Sequence, residues 1–155
     1  MASIDLSTLN ASQREVATRL EESLFVAAGA GSGKTYTLTA RLVHALSLGS
    51  ASDGGRFLDS IDQALIITFT KAAALEIAER VRGALRAAGE DDPHLREESF
   101  KVDGAWISTI HGMCSRILHR HAIELGIDPE FGMCEDSVAA ALMAKALDEV
   151  LGSDS

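Results

Sequence analysis

The chain has 155 residues, 46% hydrophobic and 24% charged, which suits one compact domain and excludes a disordered or fibrous polypeptide. No segment approaches the ~20 apolar residues that cross a bilayer, and MASIDLSTLN carries Asp5 with no base ahead of its apolar residues, the wrong charge order for a secretory signal. The two cysteines, Cys114 and Cys134, are too few for a disulfide framework or a four-ligand metal site, so a soluble cytoplasmic protein with reduced, half-buried thiols is expected. The formal charge of −9 is uneven. Residues 124–155 hold eight acids against Lys145, a net −7, which leaves 15 acids and 13 bases, −2, on residues 1–123. A polyanion as partner is therefore compatible with the first four-fifths of the chain.

Asn10 opens a helix expected to run to about Glu22, with Gln13 three residues later completing a capping-box pattern. Leu24 to Ala28 reads as a first strand, and the glycine-rich stretch Gly29 to Gly33 as a turn into a helix from Lys34 to about Leu48 that stops at Gly49. Ser50 to Gly55 is a surface loop. The run Ala64 to Thr68 (ALIIT) is apolar throughout, as expected of a parallel strand covered on both faces. From Lys71 to Ala88 apolar residues recur at helical spacing, Glu76 and Arg80 pair at i,i+4 on the outside, and Gly89 ends the helix. Glu90 to Glu98, containing Pro93, reads as an exposed connection, and Ala105 to Ser108 (AWIS) as a third strand. A further helix over Ile110 to Leu125 is expected to bury Ile110, Cys114, Ile117, Leu118 and Leu125, with Arg116, His119 and Arg120 on its other face. After Pro129 a brief extended piece leads to Asp136 or Ser137, which caps an alanine-rich helix to about Leu151. Strands alternating with helices imply an α/β fold with a parallel sheet flanked by helices and right-handed crossovers.

The densest chemical signal is AGAGSGKT, Ala28 to Thr35, at the turn from strand to helix. A phosphate chain needs inward-pointing backbone N–H groups, which glycines at 29, 31 and 33 permit. Lys34 would reach the β and γ phosphates and the Thr35 hydroxyl would ligate Mg²⁺. The strict G-x-x-x-x-G-K-[ST] pattern has Ala28 in its first position here. Such a loop indicates an NTP without saying what the NTP drives. Two further segments, Ile67 to Val81 and Ile107 to Leu118, place Thr, Lys or His at the carboxyl edge of a parallel strand, where open α/β sheets bind ligands. Locally, Thr70 and Thr109 can simply cap the helices that follow while Phe69 packs nearby.

In order, LNASQREVA (Leu9 to Ala17), AGAGSGKT, ITFTKAAALEIAERV and STIHGMCSRIL resemble the Q motif, Walker A motif, motif Ia and motif Ib region of superfamily 1 helicases of the UvrD/Rep type. STIHGMCSRILHRHAIELGIDPEF is most similar to the helicase-nuclease branch represented by AddA and RecB, and alanine in the first Walker A position is usual there. The resemblance covers about residues 9 to 136. It implies a RecA-like P-loop NTPase fold in an incomplete motor domain, with residues 1–135 the first part of the ATP-binding domain and 136–155 the start of an inserted helical subdomain. It implies ATP and Mg²⁺ as cofactors, held by Ala28, Gly29, Ala30, Gly31, Ser32, Gly33, Lys34 and Thr35, with Lys34 and Thr35 catalytic and Thr35 on the metal. Gln13 would read the adenine edge, or only complete its capping box. Phe69, Thr70, Lys71, Thr109 and His111 would line single-stranded DNA, Phe69 by base stacking.

For the full-length protein the resemblance implies an ATP-dependent 3′ to 5′ DNA helicase and exonuclease of double-strand break repair and recombination. Its partners would be a second motor lobe in the same chain and a second helicase-nuclease subunit. The resemblance places the Walker B carboxylates after the inserted helical subdomain and the arginine fingers in the second lobe, hence beyond residue 155; the nearest imitation here, FGMCED, Phe131 to Asp136, contains Gly132 and has its acids in Glu-Asp order. The 155 residues alone are then expected to hydrolyse ATP poorly. The other readings are a stand-alone UvrD/Rep-like helicase without a nuclease and a small non-motor P-loop module.

Overall fold

A computed structural model describes residues 6–132 and 134–152. Asp5, Met133 and Asp154, used above in the charge and boundary readings, lie outside them. The chain divides into two compact units, one ending at Cys114 and the other starting at Ser115.

In the first unit, helix α1 (Ala11–Thr18) starts as its sequence dictates. Asn10 Oδ1 accepts from the Gln13 backbone N–H at 2.9 Å, and Gln13 Oε1 accepts from the Asn10 N–H at 3.1 Å. It ends a turn before the expected Glu22. There the Arg41 guanidinium donates to the carbonyls of Val16 and Arg19, which an ending helix leaves without intrahelical partners. Arg41 sits on α2 (Lys34–Leu46), which shares a small apolar cluster of Leu9, Ala17 and Ala40 with α1. The opposite side of α2 sends Leu42, Val43 and Leu46 into the main core, with Ile61, Ile66, Val81, Leu85, Leu95 and Val102.

Strands β1 (Leu65–Thr68) and β2 (Trp106–Thr109) pair in parallel, in the register Leu65↔Trp106 to Thr68↔Thr109. Their connection runs through α3 (Lys71–Ala88) and α4 (Pro93–Lys101). The result is a mixed α/β unit with a small parallel sheet and flanking helices, as the alternation of elements led one to expect. The expected Glu76–Arg80 pair forms at 2.8 Å on α3.

Four expectations need correction. Residues 24–28 form no strand: Phe25 is 97% exposed, and the described sheet consists of β1 and β2, so this run has no ladder neighbour to make it a strand. β1 is covered on one face only, with Ile66 buried and Leu65 and Ile67 about half exposed. Strict alternation of side chains sends these two to the open face. The supposed exposed connection at 90–98 contains α4, capped by Asp92 Oδ1 on the His94 N–H at 3.0 Å, with Pro93 in the first turn.

The fourth correction concerns α5 (Ile110–Arg120), which begins at the end of β2 and carries into the second unit. It ends near Arg120 rather than Leu125, and the chain turns at Gly126 with φ +67°. Ile110, Ile117, Leu118 and Leu125 are exposed, as are Cys114 and Cys134. An amphipathic stripe is buried only where another layer lies over it. His119 stacks on Phe131 with ring centroids 4.0 Å apart, and α6 (Asp136–Gly152) exposes Val138, Leu142, Met143, Leu147, Val150 and Leu151.

Candidate nucleotide site and nucleic-acid edge

Residues 29–33 turn tightly before α2. Ser32 donates to the Gly29 carbonyl twice, through its backbone N–H at 3.4 Å and its hydroxyl at 2.8 Å. Gly31 has φ +74° and Gly33 φ +81°, left-handed conformations in which a β-carbon is strained. At Gly29 and Gly31 an added β-carbon would meet no atom within 4 Å, so the loop faces open space. Gly33 is the residue before α2, whose first N–H groups lack intrahelical acceptors and whose dipole places positive charge at this end. Lys34 folds its ammonium back over the loop, donating to the Gly29 carbonyl at 2.6 Å and the Ala28 carbonyl at 3.2 Å.

Three threonines follow on α2, and their hydroxyls differ. Thr37 donates to the Gly33 carbonyl at 3.0 Å and Thr39 to the Thr35 carbonyl at 2.9 Å, each one turn back. The half-buried Thr35 hydroxyl has no hydrogen-bond partner among the described residues. Loop N–H groups, a lysine and a free hydroxyl in this order fit the phosphates of a nucleotide and a Mg²⁺ ion shared with them. Among the described residues no group of three or more His, Cys, Asp or Glu side chains could hold a metal alone.

Gln13 meets this loop directly. Besides its capping-box contacts, its Nε2 donates to the Ser32 carbonyl at 3.1 Å. The Tyr36 hydroxyl lies 2.6 Å from Thr8 Oγ1, a second tie between the start of the chain and α2. Neither contact was visible in the motifs. The only signal for the first was the spacing that places Gln13 in the first turn of a helix, which does not say what that turn faces.

The second cluster sits at the carboxyl ends of β1 and β2. Because Thr68 is in register with Thr109, Phe69, Thr70 and Lys71 emerge beside Ile110 and His111. Phe69 is fully exposed and does not pack locally. The Thr70 hydroxyl accepts from the Ala73 N–H at 3.1 Å and the Thr109 hydroxyl from the Gly112 N–H at 3.1 Å, so both cap helices as their positions allow. Lys71 and His111 are exposed in the first turns of α3 and α5, and neither has an ion pair among the described residues. An exposed aromatic ring, one cation and two helix amino termini thus share one sheet edge. Arg116, His119 and Arg120 fall further along α5, exposed.

The family model for the UvrD/REP helicase N-terminal domain matches residues 9–154. Among curated relatives, the chain is 35% identical over 145 residues to an ATP-dependent helicase/nuclease subunit from Syntrophomonas wolfei, covering 92% of this chain and 11% of that protein. It is 36% identical over 143 residues to the protein of the same name from Desulforamulus reducens, 90% and 11% of the two chains. With the one from Desulforudis audaxviator it shares 38% over 132 residues, 83% and 10%. The chain spans about a tenth of the length of these relatives. No helix among the described residues is long and apolar enough to cross a membrane.

Proposed function

The chain belongs to the UvrD/REP helicase N-terminal domain family, and from that membership we propose that it is the ATP-binding amino-terminal part of an ATP-dependent DNA helicase and nuclease subunit. The observation that carries this reading is the loop at 29–33, with two left-handed glycines, ending at the amino terminus of α2 under the Lys34 ammonium. A RecA-like P-loop fold for residues 1–135 and a helical insertion starting at residue 136 belong to the same proposal, as do a cytoplasmic location, 3′ to 5′ movement and a role in double-strand break repair.

The N–H groups of residues 29–33 and of the first turn of α2 would hold the triphosphate. Lys34 exchanges two neutral carbonyl acceptors for charged phosphate oxygens, and charge-assisted bonds are roughly twice as strong. Thr35 offers its free hydroxyl to Mg²⁺, which when bound neutralises phosphate charge. Gln13 stands beside the loop, where it can read the base. At the sheet edge Phe69 stacks on bases irrespective of sequence, as a translocating motor requires, while Thr70, Lys71, Thr109 and His111 meet the sugar-phosphate backbone. In the described residues no carboxylate pair follows either strand, so water activation and the second motor lobe are assigned to the rest of the full-length protein, whose partner is a second helicase-nuclease subunit.

The test is calorimetric titration of the chain with Mg·ATP, alongside steady-state hydrolysis. Binding is expected, weakened roughly 10- to 100-fold in Lys34→Ala, with negligible turnover. Robust turnover that Lys34→Ala abolishes would show that this chain already holds the catalytic parts assigned elsewhere.

A further inference from the structure

We propose that Gln13 is a positioning residue of the phosphate loop itself, fixing which way the Ser32–Gly33 peptide faces, in addition to any contact with the base. The inference rests on the nucleotide-site reading above. Its physical basis is the orientation of one amide and one peptide.

Two contacts fix the Gln13 amide. Its Oε1 accepts from the Asn10 N–H at 3.1 Å and its Nε2 donates to the Ser32 carbonyl at 3.1 Å. Turning the amide over would set Nε2 against an N–H and Oε1 against a carbonyl, breaking both, so the network permits one orientation. The Asn10 side chain closes the other half of the box on the Gln13 backbone, so the glutamine is held at its root as well as its tip.

The held carbonyl belongs to a planar trans peptide, and no cis peptide occurs among the described residues. In such a unit C=O and N–H point in opposite directions. With the Ser32 carbonyl tied to α1, the Gly33 N–H is turned away from α1, toward the side left for an anion. Gly33 makes this consequential: the Ser32–Gly33 peptide turns about the ψ of Ser32 and the φ of Gly33, the second of these is freed by the lack of a β-carbon, and an N–H that rotates freely loses entropy on binding phosphate. Gly33 also accommodates the strut. A β-carbon there would come within 2.9 Å of Gln13 Nε2.

Mg·tripolyphosphate, which has no base, separates this role from base reading. Gln13→Met removes both amide poles at similar length and no charge. It is expected to weaken Mg·ATP and Mg·tripolyphosphate alike, by about five- to tenfold, the worth of one lost hydrogen bond. Loss of ATP affinity with tripolyphosphate unchanged would overturn the proposal and leave Gln13 a base reader only. A second measurement needs no ligand. Gln13→Glu keeps an acceptor for the Asn10 N–H, hence the capping box, but replaces the donor that holds Ser32. The NMR order parameter of the Gly33 N–H is expected to fall in this variant while α1 stays ordered, and an unchanged value would overturn the proposal. If the wild type binds neither Mg·ATP nor Mg·tripolyphosphate, the nucleotide reading fails, while the order parameter still decides whether Gln13 holds the peptide.

Discussion

Two corners of the first unit use polar groups in opposite ways. At the α4 corner the Glu98 carboxylate is wholly buried and both of its oxygens are engaged, accepting from the Ile61 N–H at 2.7 Å, the Ser60 hydroxyl at 3.0 Å and the Lys101 ammonium at 2.7 Å. At the phosphate loop and the β1–β2 edge Lys71 and His111 are exposed and Thr35 is half-buried, and among the described residues Lys71 and His111 have no ion pair and the Thr35 hydroxyl no hydrogen-bond partner. A buried charge is tolerable only when it is paired and hydrogen-bonded, so the first corner has one arrangement and fixes the fold. The second keeps donors available, which suits sites whose partners arrive from outside. Substitutions at the first corner should therefore cost stability, and those at the second should cost ligand affinity with the fold intact.

The largest effect is expected at Glu98. Glu98→Ala strands the buried Ile61 N–H, leaves the half-buried Ser60 hydroxyl without this acceptor and opens a cavity at a fully buried position, and an orphaned buried group alone costs roughly 1–3 kcal/mol. A loss of about 2–5 kcal/mol in urea unfolding is the expected outcome, and a change below about 1 kcal/mol would erase the contrast between the corners. The same site gives a pH signature. Burial alone pushes the Glu98 carboxyl up, but Lys101, the Ile61 N–H and Ser60 together outweigh it and hold the group below the ordinary glutamate range. A depressed folded value stabilises above the unfolded pKa, and that stability is lost as pH falls through the folded value. The wild-type urea midpoint should accordingly drop as pH falls through and below the ordinary glutamate range, more steeply than that of Glu98→Gln.

Next in size is Lys34→Ala. Removing a charge-assisted donor of ~1.5–3 kcal/mol lowers Mg·ATP affinity roughly 10- to 100-fold. Because Lys34 touches only two exposed loop carbonyls, the unfolding midpoint should stay put. A parallel loss of stability would make the loop part of the scaffold. Gly89→Ala tests the other corner more gently. Its β-carbon would sit 2.7 Å from the backbone Cα and N of Arg96, so the start of α4 must shift, at a cost of about 1–3 kcal/mol read by thermal unfolding. Mg·ATP binding should be unchanged.

The same contrast accounts for what was legible in the sequence. Asn10 with Gln13, the glycines before Lys34, and the helix caps Thr70 and Thr109 are local signals, each written within six residues, and all appear where expected. Helix α4 is also local: Asp92 then Pro93 is a helix start, masked by the charge of the residues after it. Burial was less legible. The apolar runs at 24–28 and 64–68 announce strands, but only neighbouring strands and helices decide whether Phe25, Leu65 and Ile67 are covered. Periodicity likewise placed Ile110, Ile117 and Leu118 on one face of α5 without supplying the layer that would bury them. The Glu98 cluster joins residues 37 and 38 apart, and the Gln13–Ser32 bond spans 19, so both depend on tertiary approach.

The smallest effect on stability should come from Phe69→Ala. A ring wholly in water contributes nothing to the core, so unfolding should move by no more than about 0.5 kcal/mol. Single-stranded DNA binding, followed by fluorescence anisotropy at low salt, should weaken by about 1–3 kcal/mol for a lost base stack. Lys71→Ala provides the contrast at the same edge: it should weaken binding and reduce the salt slope by about one phosphate contact, whereas Phe69→Ala should weaken binding with the slope preserved. A slope that falls equally in both would mean that the edge offers charge alone. A loss confined to Lys71→Ala would leave Phe69 to some other partner, with the exposed ring an apolar contact rather than a platform for bases.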